Sequence, residues 1–184
     1  MQRPSTPLAI ALVLPLLLAV AVAAIAITVR ARGLDGTVPA APDTSPLAVA
    51  PVDAPQAQSP QCTALLASLD GDLPAGDRVL PRRALVTPSP PGVLAWAATP
   101  QPVVLRCGVP RPAELVPTAA LLEINGVRWL SLDDGPPPNV LTYVAVDRPV
   151  FVALTLPIGV GSGPVQRVSD VLRTQLPATP VAVR

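Results

Sequence analysis

The spacing of apolar and polar positions changes character twice along the 184-residue chain. Leu8 to Val29 carries no charge; Gly33 to Pro60 mixes prolines with alanines; from Gln61 onward short apolar stretches alternate with turn residues. At 1.5 Å rise per residue the first run reaches roughly 33 Å, enough for a hydrocarbon core of about 30 Å. It predicts one transmembrane helix over about 8–29 within a membrane anchor, residues 1–32. Pro15 interrupts it, which a membrane helix tolerates better than a soluble one. A cleaved signal peptide is the competing reading, because Ala21-Val22-Ala23 and Ala24-Ile25-Ala26 have the small-x-small form of a cleavage site. The run continues past both to Val29, longer than the about 7–15 residues of a signal core, and this favours an uncleaved anchor.

Residues 33–60 hold Pro39, Pro42, Pro46, Pro51, Pro55 and Pro60. Proline at this density blocks helix and removes ladder donors, so a disordered Pro/Ala-rich linker is expected there. The remaining segment, 61–184, reads as a folded α+β domain. Gln61 to Leu69 has a helical apolar face, and Pro74 and Gly76 end it. Strand patterns follow at 78–86, 93–97 and 103–109. Leu121–Ile124 and Val127–Leu132 flank Asn125-Gly126, the dipeptide of a two-residue type I′ hairpin. Tyr143–Val146 and Val150–Leu156 make another pair around Asp147-Arg148, and Val150, Val152, Leu154 and Leu156 alternate with Phe151, Ala153 and Thr155. A last helix starts with Gly163 as N-cap and Pro164 as N1, carries the stripe Val165, Val168, Val171, Leu172 and Leu176, and stops at Pro177. The expected architecture is a two-layer sandwich, a mostly antiparallel sheet with both helices on one face; a barrel with peripheral helices is the alternative.

Composition sharpens the picture in two places. All 13 basic residues are arginine, with histidine and lysine absent, and the arginines are scattered against 12 acids. No clustered basic face exists for a phosphate backbone, so nucleic acid is not an expected partner. The Ala/Pro/Val/Arg bias reads as a GC-rich genome. Cys62 and Cys107 are the two cysteines, both beyond the anchor, and a pair in an exported domain reads as one disulfide. Without histidine they cannot complete a zinc site, and they are not a C-x-x-C pair. The arginines at both ends of the apolar run barely decide orientation, Arg30 and Arg32 pointing to a cytoplasmic C-terminal side. The cysteines point the other way and carry more weight. The expected location is the cell membrane, single-pass, with the C-terminal domain extracytoplasmic.

Catalytic motifs fail for want of parts. A Ser-His-Asp triad, a Ser-x-x-Lys nucleophile and a histidine metal site cannot be assembled, so no catalytic residue, metal or cofactor is expected. Gly159-Val160-Gly161-Ser162-Gly163 precedes a helix but lacks the Walker lysine and reads as a strand-to-helix loop. Asp133-Asp134 is the one adjacent carboxylate pair and reads as a solvated turn. Glu123 and Arg128 suit a cross-strand ion pair. Trp96 and Trp129 read first as core anchors and second as the lining of a binding groove. Arg106, beside the cysteine, suits either a bound anion or a carboxylate partner, and the partner is the expectation.

Trp96, then Pro102-Val103-Val104-Leu105-Arg106-Cys107-Gly108-Val109, Asn125-Gly126-Val127-Arg128-Trp129 and Asp147-Arg148-Pro149 resemble an actinobacterial family known as domain of unknown function 3515. The resemblance runs from about Pro60 to the C-terminus; Ala97 departs from it where glycine would follow the tryptophan. It implies an actinobacterial membrane or secreted envelope protein, with Cys62 and Cys107 as its bridge, and brings no reaction or ligand. The expected role is a non-enzymatic binding or assembly module with an envelope protein or cell-wall component as partner. A small-ligand binder using Trp96, Arg106 and Trp129 for a lipid or wall fragment is the alternative, and a carboxylate-dependent wall hydrolase the remote one.

Overall fold

A computed structural model describes residues 6–31, 41–133, 135 and 139–183; within the first of these stretches it describes the side chains of 15–28. The chain divides into two compact units, Met1–Ala40 and Ala41–Arg184.

The first unit holds helix α1, Thr6–Ala31. Leu16, Leu17 and Leu18 are successive and so point about 100° apart, yet all are exposed, as are Val20, Val22, Ile25 and Ile27, at 59–69%. Among the described residues no helix is long and apolar enough to cross a membrane. The expected span over 8–29 lies in part outside the described side chains.

The second unit is α+β. Helix α2 (Pro60–Ser68) is capped by Ser59, whose Oγ accepts from the Cys62 N–H. The hairpin β1 (Leu73–Ala75) and β2 (Arg78–Leu80) follows. The main sheet comprises β3 (Arg82–Arg83), β4 (Val93–Trp96), β5 (Val103–Val109), β6 (Leu121–Ile124), β7 (Val127–Asp133), β8 (Val140–Ala145) and β9 (Phe151–Pro157). Its order is β3-β4-β5-β9-β8-β7-β6, all pairs antiparallel. The sheet is therefore open, and the barrel alternative falls away. Helix α3 (Gly163–Gln175) completes the fold.

Both helices share one core with one sheet face. Cys62 and Leu65 of α2 and Val165, Val168 and Leu172 of α3 join Trp96, Leu105, Trp129, Val152 and Leu154. The opposite face buries a smaller cluster of Leu115, Leu130, Val144 and Val146, with Val181 of the C-terminal tail against it. The hairpin at Asn125-Gly126 has positive φ at both positions, 49° and 75°, as its sequence demands.

Three local expectations need correction. The strand expected over 78–86 breaks into β2 and β3 at Pro81, which donates no ladder bond. The N-cap of α3 is Ser162, so Gly163 is already inside the helix. The largest concerns the linker: residues 32–40 lie outside the described residues, but 41–59 are laid on the domain as a strap. Arg83 donates from Nη2 to Asp43 Oδ2 and from Nε to the Ser45 carbonyl, each at 2.6 Å. Leu47 bridges Leu85 in parallel, giving its N–H to Ala84 at 2.8 Å and accepting from Val86 at 3.0 Å. Gln56 donates its backbone N–H to Gly108 at 3.2 Å, and Ala57 is buried. Prolines exclude helix and sheet interior, yet an extended proline-rich chain still offers carbonyls and its remaining N–H groups to an edge.

Candidate functional site

The two tryptophans lie on the helix-facing side of the sheet and are wholly buried. Trp96 Nε1 donates to the Gly71 carbonyl at 2.6 Å, and Trp129 Nε1 to Ser169 Oγ at 2.9 Å. Ser169 in turn donates to the Val165 carbonyl at 2.7 Å. Tyr143 meets the Trp129 ring edge-on at 6.4 Å, and the Arg82 guanidinium stands 5.3 Å from the Trp96 centroid. Every polar handle of the indoles is used internally. They are core anchors, and the groove-lining alternative for Trp96 and Trp129 is corrected.

Arg106 follows Leu105 and precedes Cys107, both of which face the helices, so strand alternation sends it to the opposite side. The fold thus separates Arg106 from the tryptophans. Among the described residues no carboxylate stands against it as the expected partner. Among the described residues its side chain makes one hydrogen bond, from Nη2 to the Ala50 carbonyl of the strap at 3.5 Å, and its Nε is buried without an acceptor. Burial alone pushes its pKa down from the usual arginine value. Arg83 and Arg148, by contrast, sit 2.6 Å from Asp43 and 2.9 Å from Asp147. Beside Arg106 is a small cavity of about 70 Å³ between the strap and the Pro90-Pro91 turn.

A larger cleft, about 660 Å³, opens where three elements converge. The β1–β2 turn contributes Asp77 and Arg78, the hairpin β6–β7 contributes Asn125, and α3 contributes Gln166, Arg167 and Asp170, with the Gly159–Gly163 loop as one wall. Asn125 Nδ2 donates to Asp170 Oδ1 at 2.9 Å and to the Gln166 carbonyl at 3.4 Å, fixing hairpin against helix. Asp170 also stands 3.7 Å from Arg173. No hydrogen bond or ion pair within the described residues engages the side chains of Arg78, Arg167 or Asp77. Sequence reasoning noted the glycine loop and the hairpin but missed these residues, because nothing in the local pattern places the β1–β2 turn next to α3. The cleft offers two cations, two carboxylates and amides at exposed or half-buried positions, a set suited to holding a polar ligand by hydrogen bonds and charge.

The remaining distinctive residues serve the framework. The bridge Cys62–Cys107 is formed, with Cα atoms 5.6 Å apart, tying α2 to β5. Gly108 has φ +81° at a bulge between β5 and β9, and a Cβ there would come within 2.3 Å of Gln56 backbone. Arg148 is buried and donates from Nη2 to the Gly126 carbonyl and from Nη1 to the Asp147 carbonyl, both at 2.9 Å, locking the β8–β9 turn to the β6–β7 hairpin. Glu123 and Arg128 face each other in register, both exposed. Of the adjacent acids, Asp133 accepts from the Gly135 N–H at 3.3 Å and Asp134 lies outside the described residues. Among the described residues no group of three His, Cys, Asp or Glu could hold a metal.

Comparison with known proteins brings one match: the family model described as "Protein of unknown function (DUF3515)" covers residues 12–181. No curated protein and no solved structure matches the chain.

Proposed function

Because the chain belongs to the DUF3515 family of proteins of unknown function, we propose its role from its geometry: a membrane-anchored, extracytoplasmic binding module of the cell envelope, without catalytic activity of its own. The observation that carries the binding role is the cleft of about 660 Å³, whose polar groups come from three elements and include two guanidiniums with no acceptor among the described residues. Convergent polar groups in a concave site are what a recognition surface requires. The nucleophile-and-base geometry that chemistry would require has no histidine or lysine to build it. The anchor is supported by the uncharged run Leu8–Val29 and by the exposed apolar side chains that residues 16–27 of α1 present on all sides, as a lipid-facing segment must. The outside location is supported by the Cys62–Cys107 bridge, which persists in oxidising compartments. The arginine-for-lysine bias agrees with an actinobacterial source.

Mild in-cell crosslinking of the full-length protein, followed by affinity purification from native membranes and mass spectrometry of proteins and small molecules together, tests this. A stoichiometric protein partner lost in the Arg78→Ala/Arg167→Ala double variant is the expected result. Capture of the same partners by that variant would remove the cleft from the function. Recovery of the chain in the soluble fraction after alkaline carbonate would sink the anchor. A second reading, a receptor for a lipid or wall fragment, draws on Arg106: a retained small molecule without a protein partner would favour it.

A further inference from the structure

We propose that Arg106 and the strap form a second binding site, separate from the cleft, that takes one small anionic head, a phosphate or a carboxylate carried on an apolar body. Three observations converge there. The guanidinium is partly withdrawn from water, its Nε has no acceptor, and its single hydrogen bond is long at 3.5 Å. A desolvated cation without a counter-charge is unfavourable, and an anion is the simplest remedy. One other arginine on this face shows the ordinary answer, a carboxylate partner. Arg83 of β3, under the same strap, is matched by Asp43 at 2.6 Å, whereas Arg106, two strands away on β5, has no carboxylate partner among the described residues.

The cavity beside Arg106 defines the occupant. At about 70 Å³ it admits a single head group and excludes a sugar ring or a folded peptide. Its other walls are Ala50, Val52, Pro90, Pro91 and Val93. The two prolines offer no N–H, so the guanidinium is the principal donor, and Arg can meet a carboxylate or phosphate with two parallel N–H groups. Val52 is more than half exposed at the rim, a surface for the apolar part of an amphiphile. The anion would join strap to sheet: Ala50 and Val52 stand on one side, Arg106 and Cys107 on the other. The site deepens the second reading above, as a ligand site, and does not depend on the cleft or on the anchor.

The test uses the full chain in nanodiscs of zwitterionic lipid, titrated with inorganic phosphate and followed by the Arg Nε–H resonances and, so that every variant can be read, by the backbone amides of Ala50 and Val52. Saturable movement of the Arg106 resonance and of the two strap amides in the millimolar range is expected, the amide shifts being lost in Arg106→Gln and unchanged in the cleft variant Arg167→Gln. Arg106→Lys keeps the charge without the fork and should weaken phosphate about tenfold, which also covers the case in which Arg106→Gln does not fold. Repeating the titration in nanodiscs containing an anionic lipid separates the sources. A several-fold weaker apparent phosphate affinity would identify the lipid head as occupant, and an unchanged one a free anion. Arg106 Nε–H unmoved at saturating phosphate, or Arg106→Lys binding as the natural protein does, overturns the proposal. Loss of the crosslinked partner from the cleft would leave this result untouched, so the two readings fail separately.

Discussion

Gly108 shows how much a single residue without a side chain can decide. It stands after Cys107 at a bulge, takes φ +81°, and lets the Gln56 backbone approach to where a Cβ would be 2.3 Å away. Gly92 plays the same part against Ala57, with a Cβ at 2.9 Å. Gly108→Ala is therefore expected to combine backbone strain with displacement of the strap, costing on the order of 1–3 kcal/mol. Thermal unfolding reads the loss, and unchanged melting would refute the close approach. Asp43 offers a titration at the same scale. Hydrogen bonds from the Ser45 side chain and backbone, ahead of the Arg83 charge, hold its carboxyl below its ordinary 3.8. A depressed folded pKa means its contribution is complete above that value and is lost as pH falls through the lower folded one. Strap docking should loosen below about pH 4, seen as faster amide exchange at Leu47, and Asp43→Asn should show no such acid step.

At the level of elements, the disulfide and the two helices act together. The bridge spans a sequence separation of 45 and pins α2 to the interior strand β5. In the chain-entropy model a loop of that length is worth about 4 kcal/mol. Chemical denaturation of the Cys62→Ala/Cys107→Ala double variant should show a loss of this order; a loss under about 1 kcal/mol would mean the core alone specifies the fold. Element identity was largely legible: β5 and β6 occur where alternation predicted them, and the stripe on α3 is the buried one. What was not legible was the end of each element. Pro81 cut one strand in two, and Ser162 displaced Gly163 as cap, because these depend on which backbone groups find partners after packing.

For the molecule as a whole, the strap changes the meaning of the proline-rich segment. Residues 41–59 belong to the second unit, and the amides of Leu47, Gln56 and Val86 are bonded across it. Hydrogen exchange should protect these three as strongly as sheet amides such as Leu105. Exchange at the rate of an unfolded peptide would return the segment to a free tether. Sequence alone determined the uncharged run, the cysteine pair, the class of the domain and the absence of histidine chemistry, since each depends on composition or on local period. The candidate sites were decided by tertiary structure alone. Strand alternation placed Arg106 away from the tryptophans, packing against Gly71 and Ser169 sealed both indoles, and the meeting of the β1–β2 turn, the Asn125 hairpin and α3 created the cleft. Such a meeting joins residues 77 to 170, and no periodicity within a window of a few residues encodes contact across that distance.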